Sequence, residues 1–177
     1  MKKILSIMCI LMITCIAAMS LAGCGSRNLQ GQWKVENVIF IMDGGPNLTL
    51  SIQAYIAILL GLDDPDIKIS GSMVYNFQSD GSLLRTLEYE AYFDGAAISD
   101  EVRDEGMWSI VDGRLRVALG GVICTHDFSI NGNRMTTIER PADECYAAGN
   151  YLIIEHIISI FGLTGEFVEL RQSFIRI

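Results

Sequence analysis

The sequence predicts a mainly β domain: an eight-stranded antiparallel up-and-down barrel with two accessory helices. Three observations predict it. Short segments alternate apolar and polar residues, glycine-bearing turns separate them, and two longer segments switch to helical spacing. Eight strands are enough for an antiparallel sheet to close on itself and abolish its edges.

The first strand is expected over residues 32–41, with Trp33, Val35 and Ile39 on one face and Asn37 beside them; Asp43-Gly44-Gly45-Pro46 breaks it. Residues 48–60 carry Ile52, Tyr55, Ile56 and Leu59 at helical spacing, with Asn47 as the expected N-cap. A second strand follows at 71–78, where Met73, Tyr75 and Phe77 alternate with polar neighbours. Ser79-Asp80-Gly81 turns it into a third strand at 82–93, whose Leu83, Arg85, Leu87 and Tyr89 share a side. The acidic stretch 94–104 reads as a loop. Strands at 105–111 and 114–119 meet at Asp112-Gly113, and Gly120-Gly121 leads into 122–130. There Val122, Cys124, His126 and Phe128 face one way, and Asn131-Gly132 turns into 133–140. The second helix is expected over 142–161, with Ile153, Ile157, Ile160 and Phe161 on its apolar side and Glu155, His156 and Ser159 as a polar stripe. Glycine stops each helix in the similar phrases Leu60-Gly61-Leu62 and Phe161-Gly162-Leu163, and the last strand covers 166–177. Neither helix is long enough to span a bilayer, so both are expected to pack over the barrel ends.

Ahead of this domain, Lys2 and Lys3 precede an almost uninterrupted apolar run over residues 4–21. A charged start, an apolar middle and small residues at the end are the layout of a secretory signal. The run closes on Leu21-Ala22-Gly23-Cys24, and no positive cluster follows to hold a membrane helix in place. That tetrapeptide resembles the lipobox of bacterial lipoproteins. The resemblance implies cleavage before Cys24, a diacylglyceryl group on its thiol, and anchoring in a lipid bilayer through diacylglycerol and palmitate-type acyl chains. Residues 1–23 are then the signal, 24–30 the lipidated cysteine with its tether, and 31–177 the folded domain. The protein is expected outside the cell, on the outer face of the bacterial cell membrane or in an outer membrane if one exists; Gly25 offers no aspartate-type retention signal.

Of 13 basic and 21 acidic residues, Lys2 and Lys3 leave with the signal, so 11 face 21 and the mature net charge is −10. Such a surface excludes nucleic acid as a partner, since binding the phosphate backbone requires a basic one. Cys9 and Cys15 leave with the signal as well. Cys124 and Cys145 then remain as a pair that could form a disulfide in an exported domain or stay as two buried thiols.

Gly31-Gln32-Trp33 opens the first strand, Tyr75-Asn76-Phe77 precedes Asp80-Gly81, and Gly106-Met107-Trp108 precedes Asp112-Gly113-Arg114-Leu115. Together these resemble the lipocalins and the lipocalin-like domains of bacterial lipoproteins. The resemblance implies a barrel closed at one end by Trp33, with Trp108 in a structural echo of it. It also implies an arginine of the last strand over Trp33, for which Arg171 is the nearest candidate. Gly31 would let a neighbouring chain approach.

Strand alternation gives the candidate ligand contacts. Arg85, His126, Asn37 and Tyr89 would point into the barrel, where a few polar groups in an apolar wall orient a ligand. Arg85 and His126 would meet the anionic or polar end of a small apolar or amphipathic molecule. No catalytic constellation accompanies them: His126 and Asp127 are strand neighbours on opposite faces, and no third group orients a Cys124–His126 pair. No enzyme is expected, and no metal or cofactor either. Asp63-Asp64-Pro65-Asp66 lacks the spacing of a calcium loop and reads as a solvated turn. The alternative is a filled barrel whose surface binds a protein or another envelope component. A void of roughly 300 Å³ separates the two readings.

Overall fold

A computed structural model describes residues 29–62, 67–141, 143 and 151–177. The expected signal peptide, Cys24, Cys145 and the Asp63–Asp66 stretch lie outside the described residues. The chain forms β1 (Gly31–Asp43), β2 (Leu48–Ser51), α1 (Ile52–Leu59), β3 (Lys68–Phe77), β4 (Ser82–Phe93), β5 (Ala96–Val111), β6 (Arg114–Leu119), β7 (Val122–Asn131), β8 (Arg134–Glu139), α2 (Tyr151–Ile160) and β9 (Glu166–Arg176). The sheet runs β2-β1-β3-β4-β5-β6-β7-β8-β9, and β1 also pairs with β9. Eight antiparallel strands therefore close into a barrel, as the alternation predicts. The ninth, β2, is an addition.

Strand β1 is the seam. One edge pairs with β9 from Trp33↔Arg176 to Asp43↔Glu166. The other is divided: Gly31 to Lys34 pair with β3, and Asn37 to Phe40 pair with β2. Residues 48–51 are accordingly a strand rather than the first turn of a helix. Asn47 is not the N-cap. Its Oδ1 accepts from Met42 N at 3.1 Å, while Ser51 Oγ caps α1 by accepting from Ala54 N at 3.2 Å. Both helices end as expected, with Leu62 N donating to Ala57 O at 2.8 Å and Leu163 N to Ile158 O at 3.0 Å. Among the described side chains of α2, Ile154 and Ile157 are buried and Ile160 is exposed, as is Phe161 just after it. Among the described residues no helix is long and apolar enough to cross a membrane.

The β1–β9 register shifts twice: Glu36 is the extra residue in β1 between Val35 and Asn37, and Val168 is the extra residue in β9 opposite Ile41 and Met42. A bulge inserts one residue and reverses which side chains face the core. Trp33 and Val35 point in, and beyond the first shift Val38, Phe40 and Met42 take the core positions expected of Asn37 and Ile39.

The acidic stretch 94–104 is no loop. Asp94 and Gly95, at φ 49° and 79°, make a tight turn, and β5 begins at Ala96. Asp112-Gly113 repeats the same conformation at φ 52° and 77°. Positive φ at both central positions matches the twist of the flanking strands, which is why Asp-Gly suits such turns.

Trp33 closes one end of the barrel, fully buried, with Nε1 donating to Leu29 O at 2.7 Å. The arginine over its ring is Arg176, whose guanidinium carbon lies 4.7 Å from the ring centroid. Arg171 is not that residue: it lies opposite Ile39, and its Nε donates to Glu169 at 2.5 Å. Gly31 also differs from expectation. A Cβ there would meet nothing within 4 Å, so its φ of +115°, not a close neighbour, is what favours glycine. Trp108 stacks edge-on against Phe77 at 5.6 Å and donates from Nε1 to Gln78 O at 2.9 Å.

Gly106, like Gly45, Gly71 and Gly165, is a glycine with a steric reason. It is the point where β6 stops pairing with β5, and a Cβ there would sit 2.0 Å from Ala118 O. Gly106→Ala is expected to destabilise the domain by about 1–3 kcal/mol, the usual cost of overpacking. Urea unfolding checks this, and a midpoint equal to that of the parent would refute the close approach.

Candidate functional site

The barrel encloses a cavity of about 450 Å³. Its wall is apolar along β3, β4, β6 and β8, with Met73, Leu87, Leu115, Val117 and Met135 among the lining residues. α1 reaches into it through Tyr55, Leu59 and Leu60, and α2 through Ile153. The inward aromatics do not fill the barrel because they gather toward its Trp33 end, where Tyr75 meets Phe174 edge-on at 5.6 Å. The void exceeds the size that separates a ligand site from a filled core.

Seven polar side chains line this wall: Tyr55, Tyr75, Arg85, His126, Thr137, Glu139 and Gln172. Arg85 and His126 lie where alternation along β4 and β7 places them. Tyr55, Thr137, Glu139 and Gln172 were not singled out from the sequence. The first sits on a helix that reads as a cap, and the others come from strands whose register depends on barrel closure.

Asn37 does not line the cavity. The bulge rotates it away, and its Oδ1 is buried without a hydrogen-bond partner. Tyr89 packs against the core but is not part of the cavity wall; it borders an open groove on β3, β4 and β5 with Ser70, Ser72 and Glu88.

Arg85 is already spent. Its Nε and Nη2 donate to Asp104 Oδ2 at 2.9 and 2.6 Å across the β4–β5 pair. Burial works against its charge, and Tyr75 and Asp104 more than restore it. The expectation that Arg85 meets an anion directly therefore changes. Among the described lining residues it is the one formal cation, and a protein carboxylate holds it.

His126 is different. Its Nδ1 is buried and has no hydrogen-bond partner. Burial, opposed chiefly by Asp143, pushes the imidazole down to about 4. The ring is therefore neutral across the physiological range. Burial likewise pushes the Tyr55 hydroxyl well above its ordinary value, helped by Tyr75 and Glu139, so it stays a neutral hydroxyl. A neutral imidazole and neutral hydroxyls can exchange hydrogen bonds with a ligand but cannot compensate its charge.

Cys124 faces the same cavity and is disulfide-bonded. Its expected partner, Cys145, lies outside the described residues. Behind this wall an ion-pair chain ties β6, β7 and β9 to the segment after β8. Arg114 donates to Asp127 at 2.8 Å and to Asp143 at 2.6 Å, Arg140 pairs with Asp127, and Glu169 takes Arg171 and, at 3.7 Å, Arg140. Asp143 also accepts from Arg140 N at 2.7 Å. No group of three or more His, Cys, Asp or Glu side chains among the described residues is arranged to hold a metal ion.

No protein-family model matches the chain, and no curated protein matches it. Among solved structures, a mutant of the fluorescent protein UnaG is similar over 85% of this chain and 97% of that one, at 13% identity and a TM-score of 0.32. The strand registers, not this likeness, define the barrel.

The depressed His126 imidazole makes stability depend on pH with a defined sign. The unfolded chain takes up the proton near pH 6.5 and the folded one only near 4, so stability falls as pH drops through that window. Denaturant unfolding at pH 7 and pH 4 is expected to show a smaller loss for His126→Gln than for the parent. Equal losses would mean that the ring is not held neutral.

Proposed function

We propose that the barrel binds a small, mostly apolar ligand through a neutral polar end. The observation that carries this reading is the 450 Å³ apolar cavity into which His126 brings a buried, unpartnered Nδ1. A buried polar atom without a partner costs about 1–3 kcal/mol, which a ligand hydroxyl or amide would recover. An anion would fare worse. With Arg85 paired to Asp104 and Glu139 adding a further carboxyl to the wall, its charge would be buried uncompensated. Tyr55 and Thr137 supply further hydrogen-bonding groups beside His126.

The cavity favours this reading over a filled barrel that meets an envelope protein or other envelope component through its surface. The leader sequence supports a setting for it: an exported lipoprotein held to a bilayer by acyl chains on Cys24, with residues 24–30 as tether. The function is then capture of a small hydrophobic molecule at a bacterial surface, without chemistry on it.

Native mass spectrometry of the chain from residue 24 onward, followed by solvent extraction, is the direct test. A stoichiometric small molecule is expected. Titration with decanol and decanoate should favour the alcohol by about tenfold or more, since an unpaired buried charge costs more than 1.4 kcal/mol. His126→Ala should weaken the alcohol by about three- to tenfold, the range of one net hydrogen bond. Tighter binding of decanoate would overturn the neutral-end assignment. For the anchor, cells grown with labelled palmitate are expected to label the parent chain and not Cys24→Ser; an unlabelled parent would exclude acylation.

A further inference from the structure

β4 and β5 pair from Ser82↔Met107 to Phe93↔Ala96, but β6 accompanies β5 only from Gly106 to Val111. Residues 96–105 thus have β4 on one edge and, among the described residues, no strand on the other. The hairpin runs past the end of β6 as the free margin of a three-stranded flap, since β3 stays paired with β4 from Phe77↔Leu83 to Lys68↔Tyr92. Its departure is at Gly106, the position where a Cβ would meet Ala118 O.

The side of this flap continuous with the barrel interior also carries Ile69 and Gly71 of β3, and it is buried at Ala91 but open toward the β5 margin. In-facing residues of β4 continue past Leu87 to Tyr89, Ala91 and Phe93, and their partners on β5 are Val102, Asp100, Ile98 and Ala96. Phe93, Ile98 and Val102 are 51%, 60% and 39% exposed. Exposed apolar residues scattered singly need no explanation, but these share one face with the cavity wall. Val102 belongs to both: it lines the cavity and begins the strip. Leu59, Leu60 and Gly120 complete that stretch of the lining. From Val102 to Ala96 the strip runs about 20 Å at strand rise.

We infer that the ligand is longer than the cavity, and that its apolar chain leaves through the mouth beside Val102 and lies along the inner face of the flap over Ile98 and Phe93. The inference rests on the binding reading above and adds a ligand class: a long-chain molecule with one neutral polar end, inserted polar end first. The cavity holds the head and the first part of the chain, and the flap covers the remainder. The occupant follows from continuity. The strip starts inside the cavity wall, so what fills the cavity reaches the strip without crossing polar surface other than Asp100.

The test compares decanol and hexadecanol, delivered from cyclodextrin, on the chain from residue 24 onward and on its Phe93→Ser/Ile98→Ser double variant. Both side chains are more than half exposed, so their replacement leaves the folded barrel intact, and unchanged circular dichroism and urea midpoint confirm it. Decanol should bind both proteins equally. Hexadecanol should bind the parent more tightly than decanol does and lose about tenfold in the variant, as expected for removing apolar contact from two side chains. Equal hexadecanol affinity in parent and variant would overturn the inference and leave the binding function standing. If neither alcohol binds the parent, the binding reading fails and the inference with it. A parent dimer in sedimentation that the double variant abolishes would assign the strip to a second copy and equally overturn it.

Discussion

The pairing of β1 with β9 is the constraint on which the other features depend. Without it the sheet is an open ribbon with two long free edges. With it, the same alternation that buries Trp33 and Phe174 encloses a volume. The seam is locked where the start of β1 meets the end of β9. Arg176 lies over the Trp33 ring and donates to Gln30 O at 3.0 Å, and Ile177 N donates to Gln32 O at 3.1 Å. A cation over an indole face is favourable, and more so where water is excluded. The divided outer edge of β1 follows from the same closure. β3 follows β1 for only four residues, and β2 pairs with the stretch beyond.

Closure also determines how the interior handles charge. Arg85 lies within reach of Asp104 because β4 and β5 are in register there, so the cation enters the barrel with its counter-charge. Buried charges persist when paired and hydrogen-bonded, and they are poor at recruiting a further charge once they are. On the outer side the Arg114–Asp127–Arg140–Glu169–Arg171 chain ties β6 and β7 to the segment after β8 and to β9. At β7 a single strand separates this chain from the cavity, with Asp127 pointing out and His126 in. The neutral ring and the ionised carboxylate are sequence neighbours with opposite electrostatic lives.

Much of this was legible in the sequence wherever a strand is regular. β3, β4 and β7 alternate without interruption, so Tyr75, Arg85, Cys124 and His126 could be assigned an inner face before any coordinates. β1 defeated the same argument because a bulge leaves no compositional mark: Asn37 and Ile39 were displaced by one residue of slippage. Arg171 is the nearest candidate by sequence for the same reason, since only the register shows that Arg176 is the residue of β9 that arrives at Trp33. The acidic run before Gly106 was read as a loop on composition, although charge is also what an unpaired strand carries. β2 was hidden because Leu48 and Leu50 fit a helical phase with the residues that follow. Thr137, Glu139 and Gln172 became site residues only through closure, which brings β8 and β9 round to face β4.

The unpaired margin of β5 has a consequence for how the protein behaves in a crowd. A bare strand edge is a template for any other bare edge, and identical molecules carry identical templates. Here Asp100, Glu101, Asp104 and Glu105 outnumber Arg103 along that margin, so two such edges brought together repel. That protection is electrostatic and sits on the surface, so dissolved salt screens it while the backbone template remains. Added salt therefore acts first at this hairpin, where the edge is guarded by charge alone, and leaves the packed end around Trp33 untouched.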